Sequence, residues 1–329
     1  MRAIQYDRFG GYDVLAAVEV PEPAAEDGQA VVTVTLAGVS PLDDTIRLGK
    51  LPPAAHMPLP IRPGVTAAGT VLRPGASGLA VGTRVVVSGG SYGIAVPGTW
   101  ADQLAVDPSQ LLPIPDGVSD AAAAALTTGA GHLTAYLALT ELAGLQPGQR
   151  VLAPGVGGSV GQGGVEVARV LGAAQAITTA TSTARADRGR AAGFQVIDLS
   201  RESLREGVAR LTEGRGVDVV LDGVGGPVTG EALGSLAAGG TLISIGYSAG
   251  MQTSINVTDL IWRGAHVHGF RFALFTQEQV NAGNAELLDL LAHKAVNPLV
   301  DSTFPLAKAA EAQAHLIEGG PFGRVLLSS

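Results

Sequence analysis

A run of glycines between a short apolar segment and a helical pattern, at residues 150–173, constrains the fold more than any other feature of this sequence. The apolar residues 151–153 are typical of a short buried strand. Residues 162–171 then repeat apolar side chains on one helical face, and Gly172 ends that pattern. Between the two lie four glycines, Gly155, Gly157, Gly158 and Gly161. The segment is therefore predicted to form a strand, a tight turn and a helix.

Such a turn has a known use, because glycines let the backbone approach a phosphate and the first helical turn points its N–H groups at it. The strict spacing G-x-G-x-x-G is not met here, so a plain tight turn is the alternative interpretation. The preceding strand and the following helix favour the first interpretation. We predict a nucleotide site formed by the residues of the turn, Gly155, Gly157, Gly158, Ser159 and Val160.

Composition narrows the function classes. The chain has 329 residues, a length that suggests two domains or one large one. Of these residues 46% are hydrophobic, which is enough for a sizeable core. Only 15% are charged, the formal net charge is −8 and no basic stripe occurs, so no nucleic-acid partner is expected. The absence of cysteine excludes disulfides, thiolate nucleophiles and cysteine zinc sites.

Two segments bear on location. Residues 1–8 are too polar for a signal peptide. The uncharged stretch 121–140 is long enough to cross a bilayer, but it consists mostly of Ala, Gly and Thr and contains His132. We interpret it as one buried helix under the glycine turn. The protein is expected to be soluble and cytoplasmic, with no membrane partner.

The pattern of predicted secondary structure changes near residue 118. Before it, β-strands are predicted at 30–36, 70–72 and 83–87, separated by turns rich in Gly and Pro. Ser119 is expected to cap a helix that begins at Asp120. After it, apolar strands at 151–153, 174–178, 195–198, 217–221, 241–245 and 265–268 alternate with helical segments at 162–171, 184–192, 203–211 and 229–236. This alternation predicts a parallel, doubly wound sheet, followed by two helical segments and a last strand at 324–327.

Eight segments in this order resemble the medium-chain dehydrogenase/reductase superfamily, in its zinc-free quinone-oxidoreductase-like branch: residues 38–49, 63–69, 81–85, 133–136, 216–226, 239–246, 304–313 and 323–327. The resemblance covers nearly the whole chain. It implies an α/β protein with a GroES-like, β-rich catalytic domain formed by residues 1–119 and 271–329. A Rossmann cofactor domain with a doubly wound parallel sheet is implied for residues 120–270, with the active site in the cleft.

The chain departs from its relatives on the substrate side. Where zinc-dependent relatives carry cysteine and histidine ligands, residues 40–43 and 66–68 supply none, so no catalytic metal is expected. Ser40 and Thr45 stand where quinone-reductase relatives often have asparagine and tyrosine, and Asp43 matches a position that is often Asp. These three are the predicted catalytic residues, and a structural role of Asp43 in bonding the loop backbone is the alternative.

The end of the second parallel strand bears on the choice of cofactor. NAD enzymes place an acid there to hold the ribose 2′-hydroxyl, but no acid occurs between Thr178 and Asp187. Thr181, Ser182 and Arg185 offer hydroxyls and a cation instead, which suit a 2′-phosphate. We therefore predict NADPH rather than NADH. Arg188 and Arg190 add further positive charge nearby. The alternative is that Ser182 merely caps the next helix and that these three arginines are solvated.

The resemblance implies seven further residues near the cofactor: Thr128, Thr134, Gly246, Tyr247, Phe270, Arg271 and Arg324. It also implies that the last Rossmann strand, which carries His266 and His268, pairs across a homodimer. Two histidines without a third ligand do not indicate a metal site. His56, in a proline-rich loop, is interpreted as a surface histidine.

These observations predict an NADPH-dependent reductase of a small molecule, either a quinone or an activated double bond. Hydride transfer to an electrophilic carbon is followed by uptake of a proton from water or a nearby hydroxyl. The substituted residues Ser40 and Thr45 favour a different class, a non-catalytic NADPH-binding sensor or scaffold. A methyltransferase shares the glycine turn but requires an acidic ribose ligand after the second strand, which is missing.

Overall fold

The computed structural model describes residues 1–26, 28–51, 58–89 and 91–329, and His56 lies outside them. Within these residues the strands are β1 (Arg2–Gln5), β2 (Ala16–Glu19), β3 (Ala30–Val39), β4 (Ala67–Arg73), β5 (Arg84–Val87), β6 (Gln103–Val106), β7 (Leu111–Pro113), β8 (Arg150–Leu152), β9 (Gln175–Ala180), β10 (Gln195–Asp198), β11 (Val217–Asp222), β12 (Leu236–Ser244), β13 (His266–Gly269), β14 (Val300–Pro305) and β15 (Arg324–Ser328). The α-helices are α1 (Pro41–Arg47), α2 (Asp120–Thr127), α3 (Gly131–Leu137), α4 (Ser159–Val170), α5 (Thr183–Ala191), α6 (Leu204–Thr212), α7 (Pro227–Leu233), α8 (Val257–Arg263), α9 (Gln277–Ala292) and α10 (Ala309–Glu318).

The contacts of the backbone divide the chain into two compact units. The first comprises Met1–Gly129 and Gln277–Ser329, and the second comprises Ala130–Thr276. The predicted domain boundaries, after residues 119 and 270, fall earlier in the chain. Helix α2 accounts for the first difference, because it packs on β3, β4 and α9 within the first unit.

The first unit is built on a mainly antiparallel sheet with the order β14-β15-β3-β4-β5-β7, and β6 also pairs with β3. Strand β3 was predicted to be half-buried, but it pairs with three neighbours and most of its residues are buried. Its valines pack into a core with Trp100 and Leu104. The alternation in its sequence therefore understates how central this strand is.

The second unit contains the predicted doubly wound sheet. Its six strands have the order β10-β9-β8-β11-β12-β13, and all five pairings are parallel. The order corresponds to 3-2-1-4-5-6, the arrangement of dinucleotide-binding folds. Leu152, Ile177, Ile197, Val220 and Leu242 bring the strands into one apolar core. The prediction of a parallel sheet is thereby confirmed, although β9 ends at Ala180 rather than Thr178.

The stretch 121–140 is not one helix, as predicted, but two. Helix α2 ends at Thr127, and Gly129 and Ala130 adopt left-handed backbone angles, with φ of 65° and 47°. Two successive residues in this conformation cannot continue a right-handed helix. Helix α3 then begins and continues into a π-helical turn, Ala138–Leu142. Across the described parts of the chain, no helix is long and apolar enough to cross a membrane.

Candidate nucleotide and substrate sites

The glycine turn joins β8 to α4 at the carboxyl edge of the parallel sheet. Gly155 has a φ of +93°, a conformation that favours glycine, and its N–H donates to Thr179 Oγ1 at 3.1 Å. The N–H of Val156 donates to the carbonyl of Thr179 at 2.9 Å. The N–H of Gly158 donates to the carbonyl of Gly155 at 2.8 Å. Hydrogen bonds to the end of β9 thus hold the turn in place.

The glycines of the turn have different roles. A Cβ atom on Gly161 would lie 2.1 Å from the carbonyl oxygen of Gly155, so this position excludes any side chain. A Cβ atom on Gly158 would lie 3.3 Å from the same oxygen, and the φ of Gly158 is −85°. Gly158 is also exposed, unlike Gly157, which is buried. The backbone thus requires Gly161, whereas Gly158 leaves open space in front of the helix.

Helix α4 begins immediately after this space, with Gly158 as its N-cap. The first N–H groups of a helix have no partner within it, and together with the helix dipole they favour an anion. Ser159 and Val160, in the first turn, are half-buried. The residues of the predicted nucleotide site thus form the glycine turn and the first turn of α4.

The other strands of the sheet close this edge. The carboxylate of Asp222, at the end of β11, is buried and accepts hydrogen bonds from the N–H groups of Val224 and Gly225 at 3.0 and 2.9 Å. The N–H of Gly246, beyond β12, donates to the carbonyl of Asp222 at 3.1 Å. A Cβ atom on Gly223 would lie 2.8 Å from Cβ of Val160. Gly155, Val160 and Gly246, all predicted cofactor residues, are thus brought to one edge.

Asp222 was missed by the sequence analysis as a residue with a role of its own. The sequence signal for Asp222 is the glycine-rich segment directly after it. In that segment Gly225 and Gly226 adopt positive φ angles. Three predicted residues lie beyond the next strands. Tyr247 and Arg271 are exposed, and the ring of Phe270 contacts that of Phe272 edge-on at 5.1 Å between centroids.

The predicted 2′-phosphate residues lie between β9 and α5. Thr181 is exposed, and Ser182 and Arg185 are half-buried. The Ser182 hydroxyl oxygen accepts a 3.4 Å hydrogen bond from the N–H of Arg185, which is the capping contact of the alternative interpretation. That contact uses a lone pair and leaves the hydroxyl proton available. Arg190, further along α5, pairs with Asp187 at 2.8 Å.

A second carboxylate, also missed, ends β10. Asp198 Oδ2 accepts from Thr183 Oγ1 at 2.7 Å, and Oδ1 accepts from the N–H of Ser200 at 3.0 Å. Hydrogen bonds from Ser200 and Thr183 lower the pKa of Asp198 below its ordinary value. Arg201 lies 3.5 Å from the same carboxylate. This acid is bonded to the start of α5, whereas the position directly after β9 carries no acid.

Helix α4 packs closely on α3, where Thr134 is buried. A Cβ atom on Gly131 would lie 2.2 Å from the carbonyl oxygen of Ser159. His132 Nε2 and Glu166 Oε2 lie 2.9 Å apart in the interior, a pair that the sequence did not indicate. Thirty-four positions separate the two residues, so only the packing of the helices brings them together.

The predicted catalytic residues surround the start of α1 in the first unit. Asp43 Oδ2 accepts hydrogen bonds from the N–H and the hydroxyl of Ser40, at 2.8 and 2.7 Å. Its Oδ1 accepts from the N–H of Gly64 at 3.1 Å. Burial raises the pKa of Asp43 to about 6, against the opposing effect of these hydrogen bonds. The Thr45 hydroxyl donates to the carbonyl of Pro41 at 3.1 Å.

These contacts match the structural alternative for Asp43, because its carboxylate ties the loop before α1 to Gly64. Two predicted cofactor residues also belong to this unit. Thr128 is buried beside β3, where a Cβ atom on Gly38 would lie 2.4 Å from its hydroxyl oxygen. Arg324 is buried at the start of β15, and its backbone N–H donates to the carbonyl of Leu299 at 2.8 Å. The remaining predicted cofactor residues lie in the second unit.

Comparison with known proteins gives a consistent class. The alcohol dehydrogenase GroES-like domain matches residues 26–116, and the zinc-binding dehydrogenase family matches residues 192–327. Quinone oxidoreductase-like protein 2 of Bos taurus is 31% identical over 276 residues, which cover 82% of this chain and 77% of that protein. The synaptic vesicle membrane protein VAT-1 homolog of Homo sapiens is 27% identical, over 99% of this chain and 86% of its own length.

Among solved structures, Escherichia coli quinone oxidoreductase complexed with NADPH is similar, with a TM-score of 0.87, 27% identity and complete coverage of both chains. The sheet order and the glycine turn define a dinucleotide-binding α/β protein. With the matches in both parts of the chain, the family follows. The protein belongs to the medium-chain dehydrogenase/reductase superfamily, in its quinone-oxidoreductase-like branch.

Proposed function

We propose that the protein is a cytoplasmic, zinc-independent oxidoreductase that uses NADPH to reduce a quinone or an activated double bond such as that of an α,β-unsaturated carbonyl. The observation that carries this proposal is the open space in front of α4, where Gly158 exposes the helix N-terminus at the carboxyl edge of the sheet. The NADPH in the similar E. coli quinone oxidoreductase supports the choice of cofactor and of substrate class.

The chain's own residues have distinct parts in this proposal. The N–H groups of the first turn of α4 hold the diphosphate, and Thr181, Ser182 and Arg185 hold the 2′-phosphate. NADPH, when bound, supplies the hydride. Holding the two reactants together lowers the activation barrier by roughly 7–11 kcal/mol. This effect on the barrier exceeds that of a general acid. The proton comes from water or through the Ser40 hydroxyl, which is hydrogen-bonded to Asp43.

The residues present do not fit a catalytic zinc. The chain has no cysteine, and across the described ranges no group of three or more His, Asp or Glu side chains could hold a metal ion. The matched family's description as zinc-binding therefore does not extend to this chain in our proposal. Elemental analysis is expected to find no stoichiometric zinc, and a chelator is expected to leave activity unchanged.

The test of the function is NADPH oxidation with a panel of quinones and enones. Turnover with members of one class supports the reductase. The alternative, a non-catalytic NADPH-binding sensor or scaffold, is favoured by the internal hydrogen bonds of Ser40 and Thr45. That alternative predicts NADPH binding with no turnover across the whole panel.

Arg185→Ala is expected to weaken NADPH binding by roughly tenfold to a hundredfold and to leave NADH binding almost unchanged. The 2′-phosphate is present only in NADPH, and a hydrogen bond to a charged group contributes about 1.5–3 kcal/mol. Both affinities are measured by fluorescence titration at fixed ionic strength, because the contact is partly exposed. Arg190→Ala, on the same helix and paired with Asp187, is the matched control. An equal loss of both affinities would assign Arg185 to the fold.

We also propose a homodimer formed through β13. This edge strand has four exposed residues, and apolar side chains are exposed beside it, with Trp262 at 81%. An open strand edge and a contiguous apolar patch are both features of interaction surfaces. Light scattering is expected to give the mass of two chains, and Trp262→Asp to lower it to one. Val81→Asp, at an exposed residue of the first unit, is the control and is expected to keep the dimer.

A further inference from the structure

Arg62, which precedes β4 in the first unit, is a buried arginine. Only 9% of the surface of Arg62 is exposed, and its Nε atom is fully enclosed. Within the described part of the chain, Nε has no hydrogen-bond partner, and no carboxylate forms an ion pair with this guanidinium. Burial lowers the pKa of Arg62, yet an arginine remains charged in proteins.

Another buried arginine of the same unit shows what a structural role looks like. Arg47 is 2% exposed, and its guanidinium pairs with Asp44 and bonds the carbonyl of Gly10. It also donates to Gln313 Oε1 at 2.6 Å. A buried charge is costly unless it is paired in this way. Among the described residues, nothing comparable offsets the burial of Arg62 Nε.

The backbone at Arg62 is firmly held, so the side chain has a fixed origin. The carbonyl of Arg62 accepts from the N–H of Gly98 at 2.9 Å. The preceding residue, Ile61, exchanges two hydrogen bonds with Tyr6, at 2.9 and 3.0 Å. Two residues further on, the N–H of Gly64 donates to Asp43 at 3.1 Å. Arg62 therefore lies on the segment that anchors the loop of the predicted catalytic residues.

We propose that Arg62 binds a carboxylate of the substrate, so that the preferred quinone or enone is an anionic one. This inference rests on the proposed function and narrows its substrate. A guanidinium offers two parallel N–H donors that fit a carboxylate. A single negative charge matches a single fixed positive charge.

The test uses a matched pair of enones, (E)-4-oxopent-2-enoate and its methyl ester, with NADPH. The wild type is expected to prefer the acid. Arg62→Met keeps an unbranched apolar stem without the charge, and it is expected to lower kcat/KM for the acid by about 10- to 100-fold. The value for the ester is expected to change less than about twofold. Arg62→Lys is expected to be intermediate, and Arg73→Met, at an exposed residue of the same unit, to resemble the wild type.

The unfolding temperature separates this role from a structural one. Because removal of an unpaired buried charge relieves a cost, Arg62→Met is expected to unfold at the same temperature as the wild type or higher. A lower unfolding temperature, or an equal loss for the acid and the ester, would overturn the proposal. Binding of the acid without turnover, measured by calorimetry, separates a failure of the carboxylate site from a failure of the proposed reductase function. No turnover of either enone or of any member of the quinone and enone panel would overturn the reductase, whereas equal binding of the acid to the wild type and to Arg62→Met would overturn the carboxylate site.

Discussion

Gly158→Val is expected to weaken NADPH binding by about 100-fold or more and to leave the fold intact. The valine side chain would occupy the open space in front of α4, where the helix N–H groups meet the diphosphate. Loss of two hydrogen bonds to a charged group costs about 3–6 kcal/mol, and about 1.4 kcal/mol corresponds to one decade in affinity. The backbone at Gly158 is extended, with a φ of −85° and a ψ of 163°, so its dihedral angles accept valine, and the carbonyl of Gly155, 3.3 Å from the added Cβ atom, must shift only slightly. Titration with NADPH measures the effect.

Two variants of the same turn serve as controls. Gly158→Ser supplies a good helix cap with a small side chain, and it is expected to bind NADPH far better than the valine variant. Gly161→Ala places a Cβ atom 2.1 Å from the carbonyl oxygen of Gly155 and is expected to lower the unfolding temperature as well as the affinity. If Gly158→Val binds NADPH as the wild type does, the turn is structural and the nucleotide site lies elsewhere.

Asp43→Ala is expected to destabilise the protein by about 2–5 kcal/mol at neutral pH. The carboxylate accepts hydrogen bonds from the N–H groups of Ser40 and Gly64, and each buried donor left without an acceptor costs about 1–3 kcal/mol. Denaturant unfolding measures the loss. Asp116→Ala, at an exposed position of the same unit, is the control and is expected to stay within about 0.5 kcal/mol of the wild type. Unchanged stability together with lost turnover would instead make Asp43 catalytic.

The pH dependence gives a second, independent readout of Asp43. Its pKa is about 6 in the folded protein, above the value of about 3.9 for an unfolded chain. A raised carboxyl pKa stabilises the folded state fully below about pH 4, and this stabilisation is lost as the pH rises through about 6. Relative to Asp43→Asn, which does not titrate, the wild type is expected to lose about 3 kcal/mol of stability across this range. A constant difference between the two proteins would contradict the burial of an ionisable Asp43.

The glycine turn shows which structural features can be predicted from local sequence. The positions of β8 and α4 follow from apolar periodicity and from glycine, which are properties of consecutive residues. The same holds for the Ser119 cap, whose side chain accepts from the N–H of Ala122 at 3.2 Å. The alternation of strands and helices over residues 151–268 likewise predicted a parallel sheet, because parallel neighbours require crossover helices. The resemblance to the superfamily then added the β-rich domain and was confirmed.

Local sequence did not predict the break between α2 and α3. Residues 121–140 have high helix propensity, so periodicity alone favours one continuous helix. Packing within each unit decides otherwise, because α2 packs on the sheet of the first unit and α3 packs on α4 in the second. The left-handed residues Gly129 and Ala130 connect the two. Propensity is a weak preference that tertiary contacts override.

The sequence by itself determined the class of fold, the position of the glycine turn and the lack of an acid directly after β9. Only the tertiary structure decided which polar residues meet. Asp43 with Gly64, His132 with Glu166, and Asp198 with Thr183 are far apart in the chain and adjacent in space. The enclosure of Arg62 Nε, without a hydrogen-bond partner among the residues that the structure describes, also appears only in the folded chain. Periodicity reports which face of an element is buried, whereas hydrogen bonds and desolvation depend on neighbours that the fold brings together from distant positions.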